Sequence, residues 1–251
     1  MNLHHKLLSL IPILLIIIFW HLVVFSGLVN SFLLPPPKDV FLKIVELIVT
    51  WTIIFDIIAT LIRTGLGFIG GIVIGVPLGV VMGYYKKIYA LFEFLVDFLR
   101  SLPATALFPL FLLFFGIGDE AKIAMTIFMS SLIILVNTMY GVKNRNKTRE
   151  MIAKTMKIEG FQLFRKVTIN EAKPYLFAGL RVSISLSFIV VIVAEMFIGS
   201  SVGLGYKIFN ALIVYKISEM YSVIILTGLV GYLINRLIVY TERRQIPWMG
   251  F

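Results

Sequence analysis

Glu195 is an acidic side chain inside the long apolar run 176–199, which makes it a first candidate for chemistry. A carboxylate exposed to lipid costs several kcal/mol, so such a residue faces either protein or water. One interpretation places Glu195 beside an aqueous pathway, with the small hydroxyl face of Ser183 and Ser187 as part of the pathway wall. The other has Glu195 held by a neighbouring helix or by the backbone of residues 198–203. The sequence leaves both open.

Other kinds of chemistry find little support. The chain has no G-x-x-x-x-G-K-[ST] motif and no Gly-Lys pair, so we do not expect it to hydrolyse ATP. His4, His5 and His21 lack the spaced carboxylates or cysteines of a metal site. The chain has no cysteine, which excludes disulfides and thiolate ligands. We predict no catalytic, cofactor-binding or metal-binding residues.

A strongly basic interval, residues 141–175, separates two apolar runs. Lys and Arg collect near span ends on the cytoplasmic side, so this interval is expected in the cytoplasm. Apolar residues recur among its charges at roughly helical spacing, which predicts helices with one apolar face that needs a partner. We therefore expect another protein to dock here. The apolar residues are Ile152, Met156, Ile158, Phe161, Leu163 and Phe164.

Composition places these features in a membrane protein. Hydrophobic residues make up 59% of the chain and charged residues 14%, against about a quarter charged in soluble proteins. The net charge of +10 comes from residues beside apolar runs rather than on a face with interleaved aromatics, which argues against nucleic-acid binding. We predict an all-α protein with about six transmembrane helices. Their predicted ranges are 7–26, 57–83, 98–117, 123–142, 176–199 and 221–240.

Charge placement predicts the orientation of these spans. We interpret the first apolar run as an uncleaved helix rather than a signal peptide, because no clear small-x-small cleavage site follows it. A cytoplasmic amino terminus puts Lys86, Lys87, the interval 141–175, Arg243 and Arg244 in the cytoplasm. The opposite orientation would place most of the basic residues outside the cell, so we predict a cytoplasmic amino terminus.

The second predicted span has a glycine at every fourth position. Small residues at that spacing flatten one face of a helix, so another helix can approach closely along its length. We predict a role in helix packing rather than in binding a solute. The five residues, called the glycine ridge below, are Gly67, Gly71, Gly75, Gly79 and Gly83.

The sequence also resembles a known family. The run AKTMKIEGFQLFRKVTINEAKPYL at 153–176, followed by Gly179-Leu180-Arg181, is similar to the cytoplasmic coupling loop of ABC importer permeases. The branch it resembles most transports nitrate, sulfonates, taurine and similar small oxyanions. The likeness extends over about 57–240, with further stretches in the family's order. These are LIR at 61–63, GF at 67–68, PATALFPLFLLFFGIG at 103–118, VAEM at 193–196 and GLGY at 203–206.

The resemblance implies a domain organisation. Residues 1–55 would form a first helix, an outer loop with prolines at 35–37 and an interfacial helix at 39–50 that begins with an Asp39 cap. Residues 56–241 would form the transmembrane core domain, with the coupling loop between spans 4 and 5. Residues 242–251 would be a cytoplasmic tail.

The resemblance also implies partners and a mechanism. A second copy of the chain, an ABC ATPase subunit that uses ATP, an extracytoplasmic solute-binding protein and the lipid bilayer are the implied partners. Transport would follow alternating access, driven through the coupling loop by rigid contact with the ATPase. The residues matched to this loop are Glu150, Ala153, Thr155, Met156, Lys157, Ile158, Glu159, Gly160 and Phe161.

This chain departs from the family pattern at three places. Lys157 stands where the family usually has glycine, and Asn170 where it has proline. The family's glutamate aligns with Met151, one residue after Glu150. A glycine permits a tight elbow between two short helices. Gly160 is therefore an alternative position for the turn.

Two other classes of protein remain as alternatives. A secondary transporter or channel working alone tends to show internal repeats, and we find no convincing repeat here. A membrane-embedded enzyme needs convergent polar catalytic groups, which the sequence does not show. The residues do not identify the transported solute.

Overall fold

A computed structural model describes residues 3–246, with the side chains of all of these except 3–10, Lys147 and Lys154. Every regular element in this range is helical. A 3₁₀ turn at Ala104–Leu107 precedes α5, and a π-helical turn at Phe164–Thr168 joins α8 to α9. The helices are α1 (Leu3–Phe25), α2 (Pro37–Val49), α3 (Thr52–Tyr84), α4 (Lys86–Ser101), α5 (Phe108–Phe115), α6 (Asp119–Lys143), α7 (Lys147–Thr155), α8 (Gly160–Leu163), α9 (Ile169–Phe197), α10 (Leu204–Ile213) and α11 (Ile217–Gln245).

Four helical stretches are long and apolar enough to cross a membrane. They are α3, α6, α11 and the stretch Gly160–Phe197 that ends with α9. The pair α4 and α5 is a fifth candidate if it is counted as one bent span. The all-α membrane fold is therefore confirmed, and the number of six spans stays a prediction. The predicted tail begins inside α11, and residues 247–251 lie outside the described part of the chain.

The third predicted span, 98–117, is not one continuous helix. Helix α4 ends at Ser101, and the pair that it forms with the segment Ala104–Phe115 is bent by 92°. The reason is Pro103, whose ring disfavours the helical conformation at the preceding residue. Leu102 is accordingly extended, with φ −74° and ψ 125°. The chain therefore turns sharply between two short helices.

A helix, α2, lies where the interfacial helix was predicted, but the predicted start is wrong. Asp39 lies in the first turn, and the residue preceding the helix is Pro36, which makes no side-chain cap. Pro37 occupies the first helical position, where its fixed φ suits a helix and its missing N–H costs nothing. Asp39 can still favour the start of α2 through the helix dipole. Ser222 Oγ donates to the carbonyl of Val40 at 2.9 Å, which connects α2 to α11.

The most extensive helix contact joins α3 to α6, and it follows the glycine ridge. A Cβ built on Gly75 would lie 2.5 Å from the carbonyl oxygen of Ser131, and one on Gly79 would lie 2.5 Å from that of Leu135. At Gly83 the corresponding distance, to the carbonyl oxygen of Met139, is 2.7 Å. Real Cβ atoms do not approach this closely, so the two backbones are in direct contact. Gly67 and Gly71 face the side chains of Thr126 and Ser130 in the same way.

The remaining helices are arranged around this pair. Helix α9 packs on α6 and also contacts α3, and α10 and α11 pack on α9. An apolar cluster formed by α2, α3, α9, α10 and α11 fills the end of the molecule near the start of α3. Its buried members are Leu47, Ile53, Phe188, Leu204, Ile208, Val223 and Leu226.

Replacing Gly75 with Leu tests the contact between α3 and α6. The new side chain has to enter the space of the Ser131 carbonyl, so the helices must separate. We expect the free energy of unfolding to fall by about 1–3 kcal/mol, measured as a lower melting temperature of the purified protein. Gly65→Leu is the matched control on the same helix, because a Cβ at Gly65 meets nothing within 4 Å. Equal melting temperatures for both variants would contradict the packing role.

Candidate functional sites

A buried ion cluster surrounds Glu195 near the start of α3 and α6. Glu195 is 1% exposed, and its carboxylate accepts hydrogen bonds from Arg63 Nη1 at 2.6 Å and Thr60 Oγ1 at 2.9 Å. Arg63 Nε donates to Asp119 Oδ1 at 2.8 Å, and Arg63 Nη1 also donates to the Val202 carbonyl at 2.8 Å. Three helices and the loop after α9 therefore meet at one guanidinium group.

Asp119 has a second cation beside it. Lys122 Nζ lies 3.4 Å from Asp119 Oδ1 and 3.5 Å from the Gly199 carbonyl oxygen. The lysine side chain is 2% exposed, whereas that of Asp119 is 53% exposed. Two carboxylates thus balance Arg63 and Lys122, which is the condition for keeping charges in a medium of low polarity.

The cluster also holds the start of α10. Three successive amides point at side chains of other helices: Gly203 N donates to Asp56 Oδ1 at 2.8 Å, and Leu204 N to Thr60 Oγ1 at 2.9 Å. Gly205 N donates to Glu195 Oε2 at 2.9 Å. The first amides of a helix have no partner within it, so these side chains satisfy groups that burial would otherwise penalise. These hydrogen bonds therefore hold the start of α10 against α3 and α9.

Glycine is required where the chain enters α10. Gly203 has φ 137°, a conformation that other residues rarely adopt. A Cβ at Gly203 would also lie 2.5 Å from the carboxyl carbon of Glu195. The loop can therefore pass close to the carboxylate only without a side chain.

The three residues that the sequence suggested for the pathway wall are all enclosed by protein. Ser183 is 0% and Ser187 1% exposed, and Ser183 Oγ approaches the Ser130 carbonyl oxygen at 3.4 Å. Glu195 is surrounded by protein donors, which corresponds to the second interpretation left open by the sequence. A role of these three residues in the pathway wall stays a prediction.

Sequence reasoning did not group the partners of Glu195. Asp56, Thr60 and Arg63 are spaced by four and three residues, so they share one face of α3. That spacing of polar residues within an apolar helix was an available signal. Asp119 and Lys122 gave no such signal, because they lie at the start of α6, where charged residues are common.

The second candidate site is the coupling segment, residues 147–163, which comprises α7, α8 and the turn between them. Asn146 caps α7: its Oδ1 accepts hydrogen bonds from Thr148 N at 2.9 Å and from Arg149 N at 3.3 Å. At the other end, Ile158 N donates to the Ala153 carbonyl at 3.0 Å, the long hydrogen bond of a Schellman motif. Two short helices joined by an elbow are thus what the sequence encodes here.

Lys157 occupies the left-handed position of this motif, with φ 57°. That conformation explains why the family uses glycine there, since it costs other residues roughly 1–2 kcal/mol. Gly160 also has φ 57°, at the start of α8. The elbow therefore uses both residues, and Gly160 accompanies Lys157 rather than replacing it.

The coupling segment leaves much of its apolar surface uncovered. Met156 is 68% and Phe161 74% exposed, and Met151 and Ile152 are exposed as well. Ala153 is buried at 5%, which makes it the point where α7 rests on the rest of the chain. Such a surface beside many charges is typical of a docking site for another protein. Of the other predicted residues, Ile158 and Glu150 are half-buried, and Thr155 and Glu159 are exposed.

Metal binding finds no support in the part of the chain that the structure describes. No group of three or more His, Asp or Glu residues there could hold a metal ion. An all-helical bundle of apolar helices, with an exposed basic segment between two of them, defines the class of multi-pass membrane proteins.

Comparison with known families makes this assignment specific. Residues 71–247 match the family described as the inner membrane component of binding-protein-dependent transport systems. This chain belongs to that family. It is therefore a multi-pass membrane subunit of an ABC transport system, and not an enzyme.

Several curated relatives share the sequence along most of their length. A putative aliphatic sulfonates transport permease protein, SsuC of Bacillus subtilis, is 28% identical over 93% of this chain and 84% of its own. The nitrate import permease protein NrtB of Leptolyngbya laminosa is 34% identical over 59% of this chain and 53% of its own. The bicarbonate transport system permease protein CmpB of Synechococcus elongatus is 29% identical, covering 74% and 67%.

Solved structures share the fold. The MetNI methionine ABC transporter in inward-facing conformations matches with a TM-score of 0.66 and 21% identity, over 78% of this chain and 96% of that chain. A crystal structure of an amino acid ABC transporter with histidines matches with a TM-score of 0.60 and 20% identity, over the same shares. At this identity the likeness establishes the helix arrangement alone.

Replacing Glu195 with Gln tests the ion cluster as a structural element. The variant leaves Arg63 buried beside a neutral group, so we expect stability to fall by on the order of 3 kcal/mol. The measurement is the melting temperature of the purified protein. Glu46→Gln is the control, because its ion pair with Lys43 is exposed and worth only about 0–1 kcal/mol.

Cysteine labelling provides the second measurement on this cluster. The chain has no cysteine, so a single introduced thiol reports on its own position. We expect Glu195→Cys to resist a water-soluble thiol reagent and Asp119→Cys, at a half-exposed position, to react. Labelling of Glu195→Cys that changes with nucleotide state would instead place residue 195 on an aqueous pathway.

Proposed function

We propose that this ABC importer permease moves a small oxyanion into the cell and works as two copies with an ATPase and a solute-binding protein. The observation that supports the transport role most directly is the exposed apolar coupling segment in a basic interval, within a chain of this family. The substrates of three relatives, as their names give them, support the substrate class. Aliphatic sulfonates, nitrate and bicarbonate are all small oxyanions.

The coupling segment is the proposed dock for the ATPase. Work done by a soluble ATPase reaches the spans only through contact with an element that moves as a unit. Helices α7 and α8 offer such contact through exposed Met156 and Phe161. The basic residues of 141–175 favour a cytoplasmic location for this segment, and with it a cytoplasmic amino terminus.

The opposite end of the spans would then face outward. The ion cluster, α2 and α10 lie at that end, where a solute-binding protein would deliver its cargo. In this proposal Glu195 belongs to the scaffold that holds α10, because protein groups occupy both carboxylate oxygens. The pathway forms between the two copies of the permease, and alternating access opens it to one side at a time.

Changing both Ile158 and Phe161 to Asp tests the proposed dock. Two carboxylates in place of apolar side chains would have to be desolvated in the contact with the ATPase, which we expect to abolish binding. The measurements are co-purification of the ATPase and ATP-dependent uptake in vesicles. The control pair Ile158→Val and Phe161→Leu keeps the surface apolar and should retain both. Normal binding and uptake by the Asp pair would contradict the assignment.

Uptake assays test the substrate class separately. Vesicles containing the permease, its ATPase and its binding protein should accumulate an aliphatic sulfonate, nitrate or bicarbonate when ATP is supplied. Methionine, the substrate named for a structural neighbour, is the control solute. ATP-dependent uptake of methionine without uptake of any oxyanion would overturn the substrate class and leave the permease assignment intact.

A further inference from the structure

Helix α7 has little packing against the spans. Ala153 is buried, but Met151 and Ile152 on the same helix are exposed. A cavity of about 700 Å³ lies between α7 and the end of α3, lined by residues that include Gly83, Met151 and Lys143. A cavity lacks the contacts that would hold two elements in register. The position of α7 must therefore depend on specific polar contacts.

Arg145, in the connection between α6 and α7, makes contacts of this kind with three elements. Its Nε donates to Glu150 Oε2 of α7 at 3.0 Å. Its Nη1 donates to the carbonyl of Val142, near the end of α6, at 3.1 Å. Its guanidinium carbon lies 5.4 Å from the centre of the Tyr84 ring, at the last residue of α3. The planar guanidinium group has several donors in fixed directions, so one side chain can contact all three elements at once.

The residue that directly follows the coupling segment, Phe164, reaches the same tyrosine. The Phe164 ring meets the Tyr84 ring edge-on, with 6.0 Å between centres. Phe161, which is exposed at the proposed dock, lies 6.3 Å from Phe164 between ring centres. Tyr84 thus receives contacts from the residues that flank the segment, Arg145 before it and Phe164 after it.

Tyr84 follows directly on the glycine ridge. Gly83 and the residues before it hold α3 against α6 by backbone contact. A displacement of Tyr84 is therefore passed to two helices that move together, since close-packed helices transmit strain.

We propose that Arg145 is the positioning residue that joins the coupling segment to the ends of α3 and α6. It transmits movement of the segment to that helix pair. The inference rests on the proposed docking of the ATPase on α7 and α8. Arg145 itself is not part of the dock: its side chain is 24% exposed and points back to the spans.

The test uses the complete complex of permease, ATPase and binding protein in vesicles. For Arg145→Gln we expect the ATPase to co-purify as in wild type, while solute uptake falls roughly three- to tenfold and ATP consumed per solute rises correspondingly. Arg145→Lys keeps the charge but cannot hold Glu150 and Val142 together, so it should also lose uptake. Arg100→Gln is the matched control, because Arg100 is an exposed arginine outside the coupling segment that pairs with Asp97 on its own helix. It should transport within about twofold of wild type.

Exchanging the charges of Arg145 and Glu150 keeps the proposal testable if single Arg145 variants fold poorly. Arg145→Glu alone should lose uptake, and adding Glu150→Arg should restore part of it, because the ion pair is rebuilt in reverse. Tyr84→Leu should raise the ATP consumed per solute in the same way as Arg145→Gln.

Three outcomes would overturn the role of Arg145. They are uptake by Arg145→Gln equal to that of Arg100→Gln, loss of ATPase binding by Arg145→Gln, and no recovery in the charge exchange. Failure of the docking proposal is seen separately. In that case the variant with Asp at Ile158 and Phe161 binds the ATPase normally, whatever the result at Arg145.

Discussion

Direct contact between the backbones of α3 and α6 is the interaction on which the rest of the structure depends. Between apolar helices in lipid, the hydrophobic effect gives little reason to associate, so close van der Waals contact has to hold them together. The glycine ridge supplies it: side chains at Gly75 and Gly79 would collide with carbonyl oxygens of α6. Helix α9 then packs on α6, and α10 and α11 pack on α9, so the frame extends outward from this pair.

The two ends of this helix pair are stabilised by different kinds of contact. At the start of α3, Arg63 and Glu195 are both buried, and removing charges from water is tolerated only when each finds a partner. Such a cluster resists rearrangement and suits an anchor. At the end of α3, Tyr84 and Arg145 lie beside a cavity and are partly exposed, so their contacts can shift at lower cost. An importer needs one stable end and one that responds to its ATPase.

Much of the fold could be predicted because membrane helices are dictated by local sequence. Apolar length identified α3, α6, α9 and α11, and glycine spacing identified the face of α3 that meets its neighbour. The errors were local as well. The span 98–117 was predicted from hydropathy alone, and the chain breaks inside it before Pro103. Asp39 was predicted to cap α2, although Pro36 and Pro37 begin that helix. In both cases proline geometry decided the backbone where composition had suggested otherwise.

The sequence by itself determined that this is a helical membrane protein, because long apolar runs and the placement of charge follow from residues near in the chain. Its resemblance to a family predicted the permease class and the two short helices of the coupling segment. Only the tertiary structure decided the partners of Glu195. Arg63 lies 132 positions away and Thr60 135 positions away, and Gly205 joins them across a loop. Periodicity tells which residues share a face of one helix, but not which faces meet. Which faces meet depends on the packing of all the helices together. That packing places Glu195, for which the sequence left two interpretations open, at the centre of a buried ion cluster.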